Sequence, residues 1–226
     1  DNKLYTFLYG VTGILIPASF TTVLTISEGG FIEVTDQSVR LLYSKLFASP
    51  YSWSVVLLAI VSVLFISASF LTYYAHAAGD EKATALLRIY TLLWSLPSIL
   101  AAFVVLFTLK QHNSMHFARM LDIAWVFVLS VLCFAAAVYL FYKKKRYGTA
   151  FGLVTLQYGF AFFGYGFSHY PYLLYPYLTI YDGFTNQTMA IALIVAFIAG
   201  LCLLLPSLYL LLRLFLFDKK YVQGQR

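Results

Sequence analysis

Two histidines four residues apart are the first candidates for chemistry in this sequence. They are His112 and His116 in the stretch HNSMH, and on a helix this spacing would place both imidazoles on one face, as a pair of metal ligands requires. No glutamate completes a metal motif in that stretch, and no third ligand stands close to it in the sequence. We therefore interpret both as polar residues at the edge of a membrane and predict no metal site.

The remaining reactive side chains give no stronger motif. Cys133 and Cys202 each lie deep in an apolar run, where neither a disulfide nor a CxxC pair nor a zinc cluster is indicated. His76 and His169 lie where apolar runs end. The triplet NQT at 186–188 matches the N-glycosylation pattern, but we discount it because it lies within a few residues of the membrane. The sequence thus predicts no catalytic, cofactor-binding or metal-binding residue.

Composition explains why these side chains are so sparse. The chain has 226 residues, of which 62% are hydrophobic and 11% charged, and its mean hydropathy is +0.81. A soluble domain is about 45–50% apolar and about 25% charged. Uncharged runs of about 20 residues or more can each cross a hydrocarbon core of about 30 Å. We predict an all-α integral membrane protein, with residues 1–226 as a single transmembrane domain of six helices at about 4–26, 52–75, 88–109, 122–143, 148–168 and 188–216.

The basic residues predict how these helices are oriented. With six spans, the N-terminus, 76–88, 143–147 and the C-terminal tail share one side, which carries eleven of the 15 lysines and arginines. The run KKKR at 143–146 is the densest part of that group. Because cytoplasmic loops are enriched in Lys and Arg, we place this side, including the C-terminus, in the cytoplasm.

The interiors of the spans carry no Asp, Glu, Lys or Arg, although ion and proton pathways usually do. Gln157 is the one amide in the middle of a span, and we expect it to bond to a neighbouring helix. Small residues spaced along two spans predict that other helices pack closely against them. Three prolines within the spans predict kinks, which transporters also use at substrate sites. The small residues are Gly152, Gly159, Gly166, Ala192, Ala196 and Gly200, and the prolines are Pro17, Pro97 and Pro206.

Four stretches together resemble a known family. They are IPASFTTVLTISEGGF (16–31), KLFASPYSWSVVLL (45–58), FLTYYAHAAGDE (70–81) and SHYPYLLYPYLTIYDGFTN (168–186). In this order they are similar to subunit II of the bacterial cytochrome bd-type quinol oxidases, and the likeness continues to RLFLFDKKYVQG near the C-terminus. The most specific part is the connector rich in proline and tyrosine before the last span.

The resemblance implies a fold of nine transmembrane helices, in two four-helix bundles plus a peripheral helix, of which this chain would hold the last six. It also implies a respiratory complex in the bacterial cell membrane that oxidises quinol and reduces oxygen to water. Haems b and d would be bound by the partner, subunit I, and none by this chain. Two other functions stay open, a membrane transporter or permease half and a subunit that binds haem itself.

The connector at 168–188 contains five tyrosines and two prolines. Prolines lower the entropy lost on ordering a loop, and tyrosines suit the headgroup level of a bilayer. We predict that it forms a rigid cap on the outer side, which holds the fifth and sixth helices in register.

Overall fold

The computed structural model describes residues 3–35, 38–182 and 186–215. Eight helices and two short hairpins make up this part of the chain. The helices are α1 Lys3–Ser27, α2 Tyr43–Ala48, α3 Pro50–Ala78, α4 Glu81–His112, α5 Ser114–Asp122, α6 Ala124–Tyr142, α7 Tyr147–His169 and α8 Gln187–Phe215. The strands are β1 Ile32–Thr35, β2 Ser38–Leu41, β3 Tyr172–Leu174 and β4 Leu178–Thr179.

All six predicted membrane helices are present, as α1, α3, α4, α6, α7 and α8. Five of them, all except α7, are long and apolar enough to cross a membrane. Helix α7 has 23 residues and no charged side chain, but glycine, tyrosine and other weakly apolar residues dilute its hydropathy. The predicted ends agree within three residues except at the start of α4, which lies at residue 81 rather than 88, and position 216 lies outside the described residues. Whether α7 itself spans the membrane stays a prediction.

The corner between α3 and α4 follows from local sequence. Gly79 ends α3 in the left-handed conformation, with φ at +81°, which glycine adopts without steric cost. Asp80 then caps α4, since its carboxylate accepts a hydrogen bond from the Ala83 backbone N–H at 2.9 Å. The two long helices can therefore run back along each other with only two residues between them.

The chain divides into two compact units, Asp1–Thr179 and Ile180–Arg226. In the first unit α3 packs along α4, α6 packs along α7, and α3 also contacts α1 and α7. Its main apolar core joins α3, α6 and α7 through Phe65, Ala137, Phe141, Ala150 and Val154. The second unit consists mainly of α8, and the expectation of a single domain over 1–226 stays a prediction.

Buried hydroxyl groups join α3 to α4 along their length. The Ser54 and Thr108 hydroxyls lie 2.8 Å apart, and those of Thr72 and Thr91 lie 3.0 Å apart. Ser98 donates to the Val61 carbonyl at 3.2 Å. Such bonds are each worth about 0.6 kcal/mol between membrane helices, so this pair of helices is held by polar contacts as well as by close packing.

The glycines that allow close packing are not the predicted heptad. No atom of the described chain lies within 4 Å of a Cβ built on Gly152, Gly159 or Gly166. Instead, a Cβ on Gly164 would lie 2.9 Å from the Phe127 ring, and one on Gly148 would lie 3.1 Å from Tyr73. The prediction was wrong because equal spacing identifies a stripe of a helix, whereas the neighbouring helix determines which stripe is covered.

The expectation for Gln157 was also wrong. Its backbone carbonyl accepts a bond from Ser130 at 2.9 Å, but its side-chain oxygen is buried without a hydrogen-bond partner among the described residues. At this position the hydrogen bond between α6 and α7 is therefore made by the backbone carbonyl of Gln157, whereas the sequence suggested its side-chain amide.

Two of the loops that share a side in the sequence prediction, 76–88 and 143–147, meet at one end of the first unit. The rings of His76, next to the α3–α4 corner, and Tyr147, at the start of α7, lie 4.8 Å apart. Arg88 reaches the Phe141 carbonyl at 3.4 Å in the same region. At the opposite end, the end of α1 meets the α4–α5 corner and the end of α7, and this meeting point forms the candidate site.

Candidate functional site

A sharp turn after α1 buries Glu28, the one acidic side chain in the core of the described residues. Glu28 follows the last residue of α1 and is 1% exposed. Gly29 and Gly30 come next, with φ at +83° and +79°, a conformation that is costly for residues with a Cβ. The two glycines turn the chain away from the helix into β1, and this turn leaves the Glu28 carboxylate pointing into the bundle.

The hairpin of β3 and β4 closes over this turn. The Tyr175 backbone N–H donates to the Ser27 carbonyl at 2.9 Å, and a Cβ built on Gly29 would overlap the Tyr175 carbonyl group. Arg119 on α5 supports the hairpin, because its guanidinium donates to the Tyr170 carbonyl at 2.9 Å and lies 5.4 Å from the Tyr172 ring centre. The described part of the predicted cap is thus an ordered hairpin. Residues 183–185 lie outside the described residues, so its role in holding α7 and α8 stays a prediction.

Three buried side chains contact the Glu28 carboxylate. The Asn113 amide donates to Oε2 at 3.0 Å, and His116 Nδ1 lies 2.8 Å from Oε1 and 2.9 Å from Oε2. The Tyr165 hydroxyl donates to Oε1 in a short contact. Asn113 is also the cap of α5, where its side-chain oxygen accepts from the His116 N–H at 3.0 Å, so the same residue fixes both the helix and the carboxylate.

These contacts keep Glu28 ionised. Burial alone would raise the pKa of its carboxyl, because charge is poorly solvated in a protein interior. The hydrogen bonds with His116 and Tyr165 and the charge interactions with His116 and His169 outweigh burial, and the pKa of Glu28 lies below the usual value for a glutamate. The site therefore holds a buried negative charge that needs a cation or several donors beside it.

The second imidazole, that of His169, completes the cluster. Its Nδ1 lies 3.5 Å from Glu28 Oε1, and its Nε2 is buried without a hydrogen-bond partner among the described residues. One ligand atom from each of Glu28, His116 and His169 can be chosen so that all three lie within 4.8 Å of one another. Beside the two histidines is a cavity of about 10 Å³, room for about one water molecule. Two imidazoles and a carboxylate of this kind can hold either a proton or a metal ion.

The metal pair that the sequence analysis considered in HNSMH, and did not predict, does not form. His112 ends α4 and His116 belongs to α5, and Asn113 separates the two helices. The His112 ring lies between the rings of Phe31 and Tyr51, at 4.9 and 5.0 Å, and its Nε2 lies 3.0 Å from the Gly29 carbonyl oxygen. Neither histidine is an exposed residue of the membrane edge. His116 is 4% exposed, so it faces the protein interior, and its place at the membrane edge stays a prediction.

The residues that sequence reasoning missed are Glu28, His169 and Tyr165. Glu28 stands 88 positions before His116, so spacing could not associate them. The available signal was the order of residue types, since an acid followed by two glycines at the end of an apolar run is unusual in a chain with nine acidic residues.

The histidine side chains of the described residues lie in confined surroundings. A haem iron needs an imidazole nitrogen that faces a space large enough for a porphyrin. His112 is stacked between two rings, His76 packs against Tyr147, and the cavity at His116 and His169 has room for about one water molecule.

Fold and site together define a helical, multi-pass membrane protein with a buried polar cluster at one end of its bundle. The sequence profile described as cytochrome bd terminal oxidase subunit II matches residues 1–215, and the chain belongs to this family. It is 30% identical, over its full length, to a Bacillus subtilis (strain 168) protein provisionally named cytochrome bd menaquinol oxidase subunit II. It also matches a chain of the bd oxidase structure from Geobacillus thermodenitrificans, with a TM-score of 0.80, 61% identity and 95% of this chain covered.

The chain spans 67% of the length of the Bacillus protein and 65% of the Geobacillus chain. The shared architecture is that of an all-α membrane protein, as the sequence predicted. Both relatives are named as oxidases or oxidase subunits, and neither comparison favours a transporter.

Proposed function

We propose that this chain acts as subunit II of a bacterial cytochrome bd-type terminal oxidase. In this proposal the complex oxidises quinol and reduces oxygen to water, and this chain stabilises subunit I, which binds haems b and d. The observation that carries the proposal is the match to the bd oxidase structure at 61% identity over 95% of this chain. At that identity the two chains share their packing in detail, so a shared place in a complex is the simplest reading.

The character of the bundle supports a stabilising role. The α3–α4 pair is joined by buried hydroxyls, and each of the four histidines lies near a helix end rather than in the middle of a span. Helix α1 buries only Thr25 among its residues within the described chain. Its exposed large side chains include Phe7, Tyr9 and Phe20, an apolar surface that suits lipid or the helices of a partner subunit.

The orientation of the chain is part of the proposal. We place the α3–α4 corner, the α6–α7 turn with Lys143–Arg146, and the C-terminus in the cytoplasm, because these segments carry most of the basic residues. The Glu28 cluster and the β3–β4 hairpin then lie at the outer face of the membrane.

Purification and haem spectroscopy test the function. The full-length chain is expressed with and without subunit I, each is purified in detergent, and a reduced-minus-oxidised spectrum is recorded. We expect haem signals and quinol-dependent oxygen consumption only when both subunits are present, and menaquinol and ubiquinol are compared because the Bacillus relative is named for menaquinol. Haem retained by the chain alone would contradict the proposal, as would a stable isolated chain that transports a solute.

A further inference from the structure

If the Ser168 hydroxyl donates to the Tyr165 carbonyl, the hydrogen bonds around His116 call for a cation next to Glu28. Ser168 has one hydroxyl hydrogen, and its oxygen lies 2.8 Å from the Tyr165 carbonyl, which can only accept. With that hydrogen used, the 2.7 Å contact between Ser168 Oγ and His116 Nε2 needs the hydrogen on Nε2. Nδ1 of a neutral His116 would then present a lone pair to the carboxylate at 2.8 Å. A proton or a metal ion between the two removes this repulsion.

The position of His169 favours a metal ion over a proton. Its Nδ1 lies 3.5 Å from Glu28 Oε1, which exceeds the usual range of N–H···O hydrogen bonds. In a tetrahedral zinc site with bonds of about 2.0–2.1 Å, neighbouring ligand atoms lie about 3.3–3.5 Å apart. The 3.5 Å between His169 Nδ1 and Glu28 Oε1 matches this distance between two zinc ligands. The shorter distance from Glu28 Oε1 to His116 Nδ1 would open by about 0.6 Å to reach it, a change that small rotations of the two side chains can supply.

We propose that Glu28, His116 and His169 form a binding site for one divalent transition-metal ion, with Zn²⁺ as the best match. Two imidazoles and one carboxylate are a ligand set that zinc uses with water in the fourth position. The cavity beside the histidines has room for about one water molecule. Arg119 lines the same cavity, and its charge favours an anionic fourth ligand such as hydroxide or chloride.

The surrounding hydrogen bonds resemble the supporting shell of a metal site. A histidine that binds metal through one nitrogen usually donates from the other, which fixes its ring, and Ser168 receives that hydrogen from His116. The Asn113 amide holds the second oxygen of Glu28 at 3.0 Å. The Tyr165 hydroxyl holds the first oxygen. The ligands would therefore keep their orientation before the ion arrives.

Metal analysis of the purified oxidase complex tests this site. The complex is treated with a chelator, equilibrated with ZnCl₂, dialysed and analysed for zinc per haem by mass spectrometry. We expect one tightly held zinc per complex in the parent protein and at least about 100-fold weaker binding in His169→Gln, beyond the 10- to 100-fold range for supporting residues. Ser168→Ala should fall within that range. His76→Gln is the matched control, since His76 lies at the other end of the bundle, and it should bind zinc like the parent.

Two results would overturn the proposal. One is a correctly assembled parent complex that retains no zinc, cobalt or manganese at micromolar free metal, which leaves a proton at the site. The other is equal zinc binding by the parent, His169→Gln and His76→Gln, which means the metal binds elsewhere. The haem spectrum of each variant shows that the complex has assembled, and zinc-edge X-ray absorption should report two imidazoles in the parent. This inference does not depend on the oxidase activity, so either can fail alone.

Discussion

Replacing Gly29 with alanine tests how the turn after α1 and the β3–β4 hairpin depend on each other. Gly29 has φ at +83°, and a residue with a Cβ costs about 1–2 kcal/mol in this conformation. The new Cβ would also overlap the Tyr175 carbonyl oxygen and lie 3.0 Å from its carbon. Because both groups are backbone, no side-chain rotation can relieve the contact, and the hairpin must move.

The cost of that movement can be estimated from the contacts it breaks. Displacing Tyr175 removes its 2.9 Å hydrogen bond to the Ser27 carbonyl, and buried backbone groups left without partners cost about 1–3 kcal/mol. We expect Gly29→Ala to destabilise the protein by about 2–5 kcal/mol in total. Gly79→Ala is the control, because Gly79 has φ at +81° but no atom within 4 Å of its Cβ position. Gly79→Ala should reduce the stability of the protein by about 1–2 kcal/mol, the cost of the backbone conformation alone.

Thermal unfolding of the detergent-solubilised complex measures the difference, since about 1 kcal/mol lowers the midpoint by about 2–4 °C in a protein of this size. Gly29→Ala should unfold several degrees below Gly79→Ala, and amide exchange in 172–179 should accelerate only in Gly29→Ala. Equal midpoints with unchanged exchange would refute the reasoning, because the hairpin would then not rest on the turn.

Three further substitutions test the site and the packing. Glu28→Ala removes the acceptor of the buried Asn113 amide and Tyr165 hydroxyl and should cost about 3 kcal/mol or more, seen as a lower unfolding midpoint. A loss below about 1 kcal/mol would contradict the described network. Thr72→Val should cost about 0.6–1 kcal/mol because it breaks a buried hydrogen bond to α4. Thr155→Val is the control and should lower the unfolding midpoint less, because it loses only an exposed hydrogen bond within its own helix. Gly164→Ala should cost about 1–3 kcal/mol because the new methyl group contacts α6. Gly166→Ala should be neutral or stabilising. If Gly166→Ala were the less stable of the two variants, α6 and α7 would pack differently.

The membrane helices were predictable from sequence because the bilayer imposes a simple rule. A segment without charge and about 20 residues long must satisfy its backbone hydrogen bonds internally, so it becomes a helix whatever its neighbours are. The predicted 88–109 and the observed Glu81–His112 differ mainly at the first turn. There, a charged start capped by Asp80 extends the helix beyond the apolar run. Charged residues at the end of a membrane span can thus belong to the helix, although the apolar run used to predict the helix does not include them.

Packing partners could not be read in the same way. Gly152, Gly159 and Gly166 form a regular stripe, but Gly164 is the position closest to α6. Regularity is a property of one helix, whereas closeness depends on how two helices cross. The same limit applies to Gln157, whose main chain rather than side chain makes the bond to α6.

The sequence by itself determined the all-α membrane class and the positions of six helices, because each helix follows from the apolar residues of its own segment. Only the tertiary structure decided that Glu28, His116 and His169 share one buried site, since they come from the ends of three different elements. A charge that looks exposed at the end of a span becomes buried when two glycines turn the chain and a distant hairpin covers it. That burial depends on contacts between residues far apart in the chain, and spacing along the sequence carries no record of them.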